Sequence, residues 1–163
     1  MSPALNLDQF TGRVKTFAER APAEVVTKAM RLIALEALRR IVLKTPVDTG
    51  RARGNWQISI GGLSRNQLTT ESKGAGNVIE REAKKFAGLE PFDVVYIENS
   101  LPYIEVLEFG GFEPPDPGPS KDSRPSRKNR ILVQGGFSVQ APNGMVSVTF
   151  EELQQVFPGV LTR

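Results

Sequence analysis

The sequence predicts a protein of mixed α and β structure, with long helices first, short strands after them, and an extended proline-rich basic arm near the end. Three observations predict it. Apolar residues recur at helical spacing from Pro22 to Lys44. That pattern stops at Thr45-Pro46-Val47-Asp48-Thr49-Gly50, and beyond it Trp56, Ile58 and Ile60 alternate as they would on one face of a strand. From Gly111 to Gly136, Pro114, Pro115, Pro117, Pro119 and Pro125 precede or interleave Lys121, Arg124, Arg127, Lys128 and Arg130, a composition that favours extended backbone over core. A length of 163 residues is that of one domain with a core of its own. We divide it into an N-terminal helix (1–21), a core (22–110), the arm (111–139) and a C-terminal helix (140–163).

Taken in order, Phe10, Val14 and Phe17 recur at spacings of four and three and predict a short amphipathic helix over Leu7–Glu19. Pro22 suits the first turn of a second helix running to Lys44, whose core stripe is Val26, Met30, Ile33, Ala37 and Ile41, with Ala29 and Ala34 beside it. Its opposite side carries Leu32, Leu35 and Val42 among Glu24, Lys28, Arg31 and Arg39. A helix apolar on two sides must be covered on both, either by the first helix folding back or by a neighbouring subunit, which makes Leu32, Leu35, Arg39 and Val42 candidate interface residues.

Pro46 disfavours the helical conformation at Thr45 and ends the helix. Asp48 is placed to hydrogen-bond the backbone two residues on, and Gly50 to take a positive φ, so Pro46, Asp48, Thr49, Gly50 and Trp56 form a structural pivot. Arg51, Ala52 and Arg53 lead out of the reversal into a strand over Asn55–Gly61. Gly62–Gly76 reads as a polar, mobile loop. Asn77 is a candidate N-cap for a helix to about Ala87, with Ile79, Ala83 and Phe86 inward and Gly88 as its stop. Asp93–Asn99 is apolar on both faces, which predicts a strand central in its sheet. Tyr103–Phe109 reads as a short helix with Tyr103, Val106 and Leu107 inward, closed by Gly110-Gly111. Ile131–Val133 and Phe137–Val139 flank Gln134-Gly135-Gly136 as a small hairpin would. Over Pro142–Phe157 both periods are present, but Val146, Phe150, Leu153 and Phe157, together with Glu151-Glu152 and Gln154-Gln155, favour a helix stopped by Pro158-Gly159.

Composition excludes much chemistry. The chain has no cysteine and no histidine, which removes disulfides, thiol catalysis, the commonest general base and the commonest transition-metal ligand. No catalytic residue, metal site or cofactor is predicted. Asp48, Glu98, Glu105 and Glu108 are not grouped by spacing; Asp48 reads as a turn-former and the glutamates as surface or ion-pair residues. The net charge of +3 is too small to imply nucleic-acid binding by itself, so the local cluster matters more. Lys121, Arg124, Arg127, Lys128 and Arg130 stand against Asp122 without interleaved aromatics, which suits phosphate or acidic-partner contact, or a solvated loop, but not base stacking. Arg51 and Arg53, one strand-step apart, would point the same way, into salt bridges or a basic lining. The pairs Gly110-Gly111 and Gly135-Gly136 bracket the arm as hinges would. The N-terminus lacks a basic region followed by an apolar run, and no uncharged stretch approaches the ~20 residues that span a bilayer, so a soluble, cytoplasmically made protein with no membrane partner is expected.

The run Thr45-Pro-Val-Asp-Thr-Gly-Arg-Ala-Arg-Gly-Asn-Trp56 resembles the hallmark of a family of tailed-bacteriophage neck proteins, the tail completion, tail terminator or head-to-tail joining proteins. Further stretches agree in order: Tyr96-Ile-Glu-Asn99, Leu101-Pro-Tyr-Ile104, Leu107-Glu-Phe-Gly110 and Gln140-Ala-Pro-Asn-Gly-Met-Val146. The resemblance covers about Pro22 to Phe157, with the segment from Gly111 to Val139 longer and more basic than the family's short link. It implies an α+β subunit, with long N-terminal helices packed on a small, mostly antiparallel β-sheet, and no catalysis. It implies a structural virion protein that forms a ring at the head-to-tail interface of a long-tailed phage, hexameric in preference to dodecameric. Such a ring would meet the tail tube protein on one face and the head connector or stopper protein on the other, with DNA passing through the lumen without sequence specificity. Arg51, Arg53 and the arm's basic residues would then line the lumen or clamp a neighbour. The alternative from another class is a small nucleic-acid-binding module using residues 121–130.

Overall fold

Pro22 introduces the first described helix, its carbonyl accepting the N–H groups of Val25 and Val26. The structure, a computed structural model, describes residues 22–111, 132–133 and 135–157, together with Thr16, which is helical. The expected helix over Leu7–Glu19 otherwise lies outside the described residues, as do the basic part of the arm and residues 158–163.

Helix α1 spans Ala23–Lys44 and ends at Thr45, which is extended (φ −66°, ψ 125°) as its place before Pro46 requires. Its buried residues are Val26, Ala34, Leu38, Ile41 and Val42. The core face is thus turned by roughly a sixth of the circumference from the predicted stripe: Ile33 and Ala37 are half-buried and Leu38 is central. The turn follows from what α1 packs on, because the sheet and the next long helix lie on its Leu38–Val42 side. Val42 is enclosed by this chain and Leu35 packs against the same core, so Val42 is a core residue and not the subunit-contact residue its sequence position suggested.

Beyond the pivot, Arg51–Gly54 form one helical turn, α2, where a strand lead-in was expected. Strand β1 (Gln57–Ile60) pairs antiparallel with β2 (Val95–Glu98), with Gln57 opposite Glu98 and Ile60 opposite Val95. This sheet has two strands, so β2 is not central. Its two-sided apolar character arises because Val95 and Ile97 face the core, while Val94 just before it is exposed and Tyr96 half-buried.

Between these strands lie α3 (Ala75–Ala83) and a 3₁₀ turn, Lys84–Gly88. The helix starts before Asn77, which is therefore not its N-cap, and it turns Val78 and Glu82 inward instead of Ile79 and Ala83, while Phe86 of the 3₁₀ turn is buried as expected. Three side chains of this helix and turn stand where a third strand would. Glu82 accepts the Ile58 N–H (2.6 Å), Lys85 donates to the Ile58 carbonyl (2.9 Å), and Arg81 donates to the carbonyls of Trp56 (2.9 Å) and Gly54 (3.0 Å). The outer edge of β1 is thereby occupied as far as Ile58.

Helix α4 (Ile104–Phe109) ends at Gly110 and Gly111, both with positive φ. A second, small antiparallel pair, β3 (Leu132–Val133) with β4 (Phe137–Ser138), forms the expected hairpin. The two glycine pairs are not free hinges. Gly111 donates to the Gly135 carbonyl (2.8 Å), and a Cβ on Gly110 would stand 2.5 Å from that oxygen and 2.8 Å from the Phe137 ring. Helix α5 (Val146–Val156) buries Thr149 and Leu153, leaving Val146 and Phe150 exposed. Its orientation is set by Glu152, which meets Arg40 and Lys44 of α1 at 2.7 Å each. The result is an α+β fold whose core is built from α1, Trp56, Ile58, Val78, Phe86, Leu101, Leu107 and Met145.

Candidate functional site

Each pivot residue has a separate task. Gly50 takes φ +92°, and a Cβ there would meet the Ser72 carbonyl carbon at 2.5 Å and the Lys73 nitrogen at 2.7 Å. Its own carbonyl accepts from the N–H groups of Gly54 (2.8 Å) and Ser72 (3.0 Å). The short side-chain bond in the turn comes from Thr49, whose hydroxyl accepts the Arg51 N–H at 3.2 Å. Asp48 is exposed and has no hydrogen bond among the described residues, so the turn-forming role expected of it belongs to its neighbour. Trp56 is buried, and its indole N–H is held by the hydroxyl of Thr45.

Arg51 and Arg53 diverge, because two residues on a helical turn are separated by about 200°. Arg51 is exposed. Arg53 reaches back and donates to the carbonyls of Lys73 (2.6 Å), Thr45 (3.0 Å) and Leu43 (3.3 Å). It therefore satisfies carbonyls left open at the end of α1 and ties the loop after β1 to that helix. Burial lowers its guanidinium pKa from the ordinary value. Its charge is committed within the chain, which argues against the DNA-lining or neighbour-clamping role expected from an extended Arg51–Arg53 pair.

The expected mobile loop is tied down by polar side chains. The Leu68 N–H is held by Asn55 Oδ1 at 2.7 Å, and Gln57 Nε2 donates to the Asn66 carbonyl at 2.7 Å. Glu98 accepts the Ser59 hydroxyl (2.7 Å) and the N–H groups of Ser64 (2.8 Å) and Arg65 (3.0 Å). Glu108 does comparable work further on. It accepts the N–H groups of Met145 (2.7 Å), Val146 (2.8 Å) and Ser147 (2.8 Å), and the Ser147 hydroxyl (2.6 Å), so a residue of α4 caps the N-terminus of α5 from outside that helix.

Glu98 and Glu108 are buried, which corrects their reading as surface or ion-pair residues, whereas Glu105 is exposed as expected; Glu82, which the sequence did not single out, is buried too. Burial raises a carboxyl pKa, but here it is outweighed. Hydrogen bonds from Lys85, the Ile58 N–H and Arg81 hold Glu82 below the usual carboxylate range, and those just described do so for Glu98 and Glu108. A sequence signal was present: Val78, Glu82 and Phe86 lie four apart on one helix face, and Glu108 adjoins the inward Leu107. An acid on a core stripe is a buried acceptor in waiting.

The motif-bearing segments converge. The backbone of Val47 and the side chain of Gln140 exchange two hydrogen bonds, at 2.8 and 3.2 Å. Asn99 donates to the Ala52 carbonyl at 2.8 Å, and Glu108 joins Leu107-Glu-Phe-Gly110 to Met145 and Val146. Apolar side chains remain exposed in several places: Val25, Leu32 and Leu43 on α1; Leu63, Phe92 and Val94 around the ends of β1 and β2; Phe109, 71% exposed, at the end of α4; and Phe150 on α5. Of the interface candidates, Leu32 and Arg39 are exposed and Leu35 half-buried. Lys121, Arg124, Arg127, Lys128 and Arg130 lie outside the described residues.

Among the described residues no three or more acidic side chains converge as a metal site would require, and no helix is long and apolar enough to cross a membrane. What fold and site define together is an α+β protein whose buried polar groups hold backbone to backbone. No family model, curated protein or solved structure matches the chain.

Proposed function

We propose that this protein is a structural subunit of a ring at the head-to-tail junction of a long-tailed phage, completing the tail tube on one face and meeting the head connector on the other, with DNA passing through the lumen. The observation that carries the reading is the convergence of the segments resembling the neck-protein family. Those segments are far apart in sequence, yet Val47 bonds Gln140, Ala52 bonds Asn99 and Glu108 bonds Met145 and Val146. They pack together in one fold, as the resemblance requires of segments that belong to one subunit. A second support is apolar exposure on separate elements, since a closed ring needs two different, complementary patches on each subunit.

The ring is expected to be six-fold. Sedimentation of the purified chain across a wide concentration range, with images of the particles formed, tests this. A closed species of six or twelve copies with a central opening supports the proposal. A monomer at every concentration, together with normal tailed virions when the gene is deleted, overturns it. Salt-dependent DNA binding by that monomer, lost on neutralising Arg124, Arg127, Lys128 and Arg130, would favour the nucleic-acid-binding alternative.

A further inference from the structure

Helix α1 keeps an apolar stripe that its own core does not use. Val25, Leu32 and Leu43 are about half exposed or more, Leu32 at 60%, and at 100° per residue all three fall on one side, away from Leu38 and Val42. Half-buried Ala29 lies beside the stripe, between Val25 and Leu32.

The chain preceding α1 carries a stripe of matching period. Phe10 and Phe17 are seven residues apart, as are Val25 and Leu32, so each pair spans about 10.5 Å of helix. If the segment 7–19 doubles back over a short turn at residues 20–22, residues equally distant from position 21 meet. Phe17 then falls on Val25 and Phe10 on Leu32, with Val14 between them at the level of Lys28 and the small Ala29. An antiparallel helix pair joined by a turn this short is a standard connection. Thr16, within this segment, is helical, and Pro22 is extended, with ψ 140°, which breaks the helix where the reversal is needed.

We propose that residues 7–19 of the same molecule form the partner of this stripe, seated antiparallel on α1 with Phe17 over Val25 and Phe10 over Leu32. Thirteen helical residues reach about 20 Å, whereas Leu43 lies about 27 Å along α1 from Val25, so the segment covers the first half of the stripe and leaves Leu43 open. The inference stands apart from the ring proposal, because a monomer and a ring subunit can both fold this way. It removes Leu32 from the surface available to neighbours.

The chain has no native cysteine, which makes paired cysteines a clean test in the full-length protein. Phe17→Cys/Val25→Cys and Phe10→Cys/Leu32→Cys should each close an intramolecular disulfide under mild oxidation, at a rate independent of protein concentration. Phe10→Cys/Leu43→Cys should close none, because cysteines that far apart cannot be bridged. A readout without a disulfide is thiol labelling of the single Leu32→Cys variant, which should be protected and become fast when Phe10→Asp and Phe17→Asp are added. Links forming only between molecules, linking that accelerates with concentration, equal linking of the Leu43 pair, or labelling of Leu32→Cys unaffected by the two aspartates would each overturn the proposal, the first two by identifying a second copy as the occupant.

Discussion

The indole N–H of Trp56 donates to the hydroxyl of Thr45 at 2.7 Å, and that hydroxyl donates in turn to the carbonyl of Ile41, also at 2.7 Å. Thr45 is the last residue before the reversal and Trp56 the last before β1, and both are buried. The pair closes the pivot across its base and joins the end of α1 to the start of β1. Replacing Thr45 by Val keeps the shape but leaves a buried indole N–H without its acceptor, at a cost of about 1–3 kcal/mol. Thermal unfolding should show the loss in Thr45→Val and near-recovery in Thr45→Ser; an unchanged Thr45→Val midpoint would mean the bond contributes nothing net.

Gly50 and Asp48 should behave oppositely although they are two residues apart. Gly50→Ala combines a left-handed φ, worth roughly 1–2 kcal/mol, with a Cβ 2.5 Å from the Ser72 backbone, and should be strongly destabilising in urea titration. Asp48→Ala removes an exposed side chain with no partner among the described residues and should stay within about 0.5 kcal/mol of the parent. Equal effects from the two would contradict the geometry of the turn.

Removing the carboxylate of Glu108 should release α5. Glu108→Gln keeps the volume but puts an amide NH₂ among three backbone N–H donors, and we expect a loss of about 2–4 kcal/mol. Amide exchange should accelerate first over residues 146–156. Exchange that rises uniformly through the chain would show that α5 has no separate opening step.

Acid should weaken the fold through Glu82, Glu98, Glu108 and Glu152, whose pKa values are all held below the ordinary carboxylate value. For Glu152 the causes are its hydrogen bonds to Lys44 and Arg40, and its contribution is the smallest because it is the most exposed of the four. A carboxylate with a depressed folded-state pKa binds its proton more readily when unfolded. Its stabilisation is therefore complete above the unfolded value, about 4.3, and is lost as pH falls through the lower folded value. Denaturation midpoints should be flat above about pH 5.5 and fall below it, with a shallower fall in Glu108→Gln. A parent midpoint that rises on acidification would refute this.

Apart from the helical turn at Arg51–Gly54, the element types were legible because each rests on local rules. Pro46 ended α1, glycines closed α4, and the spacing of Leu153 and Phe157 with flanking Glu and Gln distinguished a helix from a strand in α5. Faces were less legible, because they depend on what packs opposite. Leu38 entered the core and Phe150 stayed out according to where the sheet and Glu152's cationic partners lie. The buried acids were hardest, since a glutamate's sequence position does not say whether a distant helix will point its free N–H groups at it. Convergence of Val47 with Gln140, 93 residues apart, is likewise invisible to any local rule.

The charged lining of β1 also limits growth. A two-stranded sheet with both edges open is a polymerisation monomer, able to add a copy on either side without end. Arg81, Glu82 and Lys85 occupy the backbone groups of Trp56 and Ile58 on one of those sides, so a copy cannot pair along that edge, and pairing through the other edge can join two sheets and then terminate. Open-ended fibre growth through this sheet is thereby blocked, and any larger assembly has to be made with side chains.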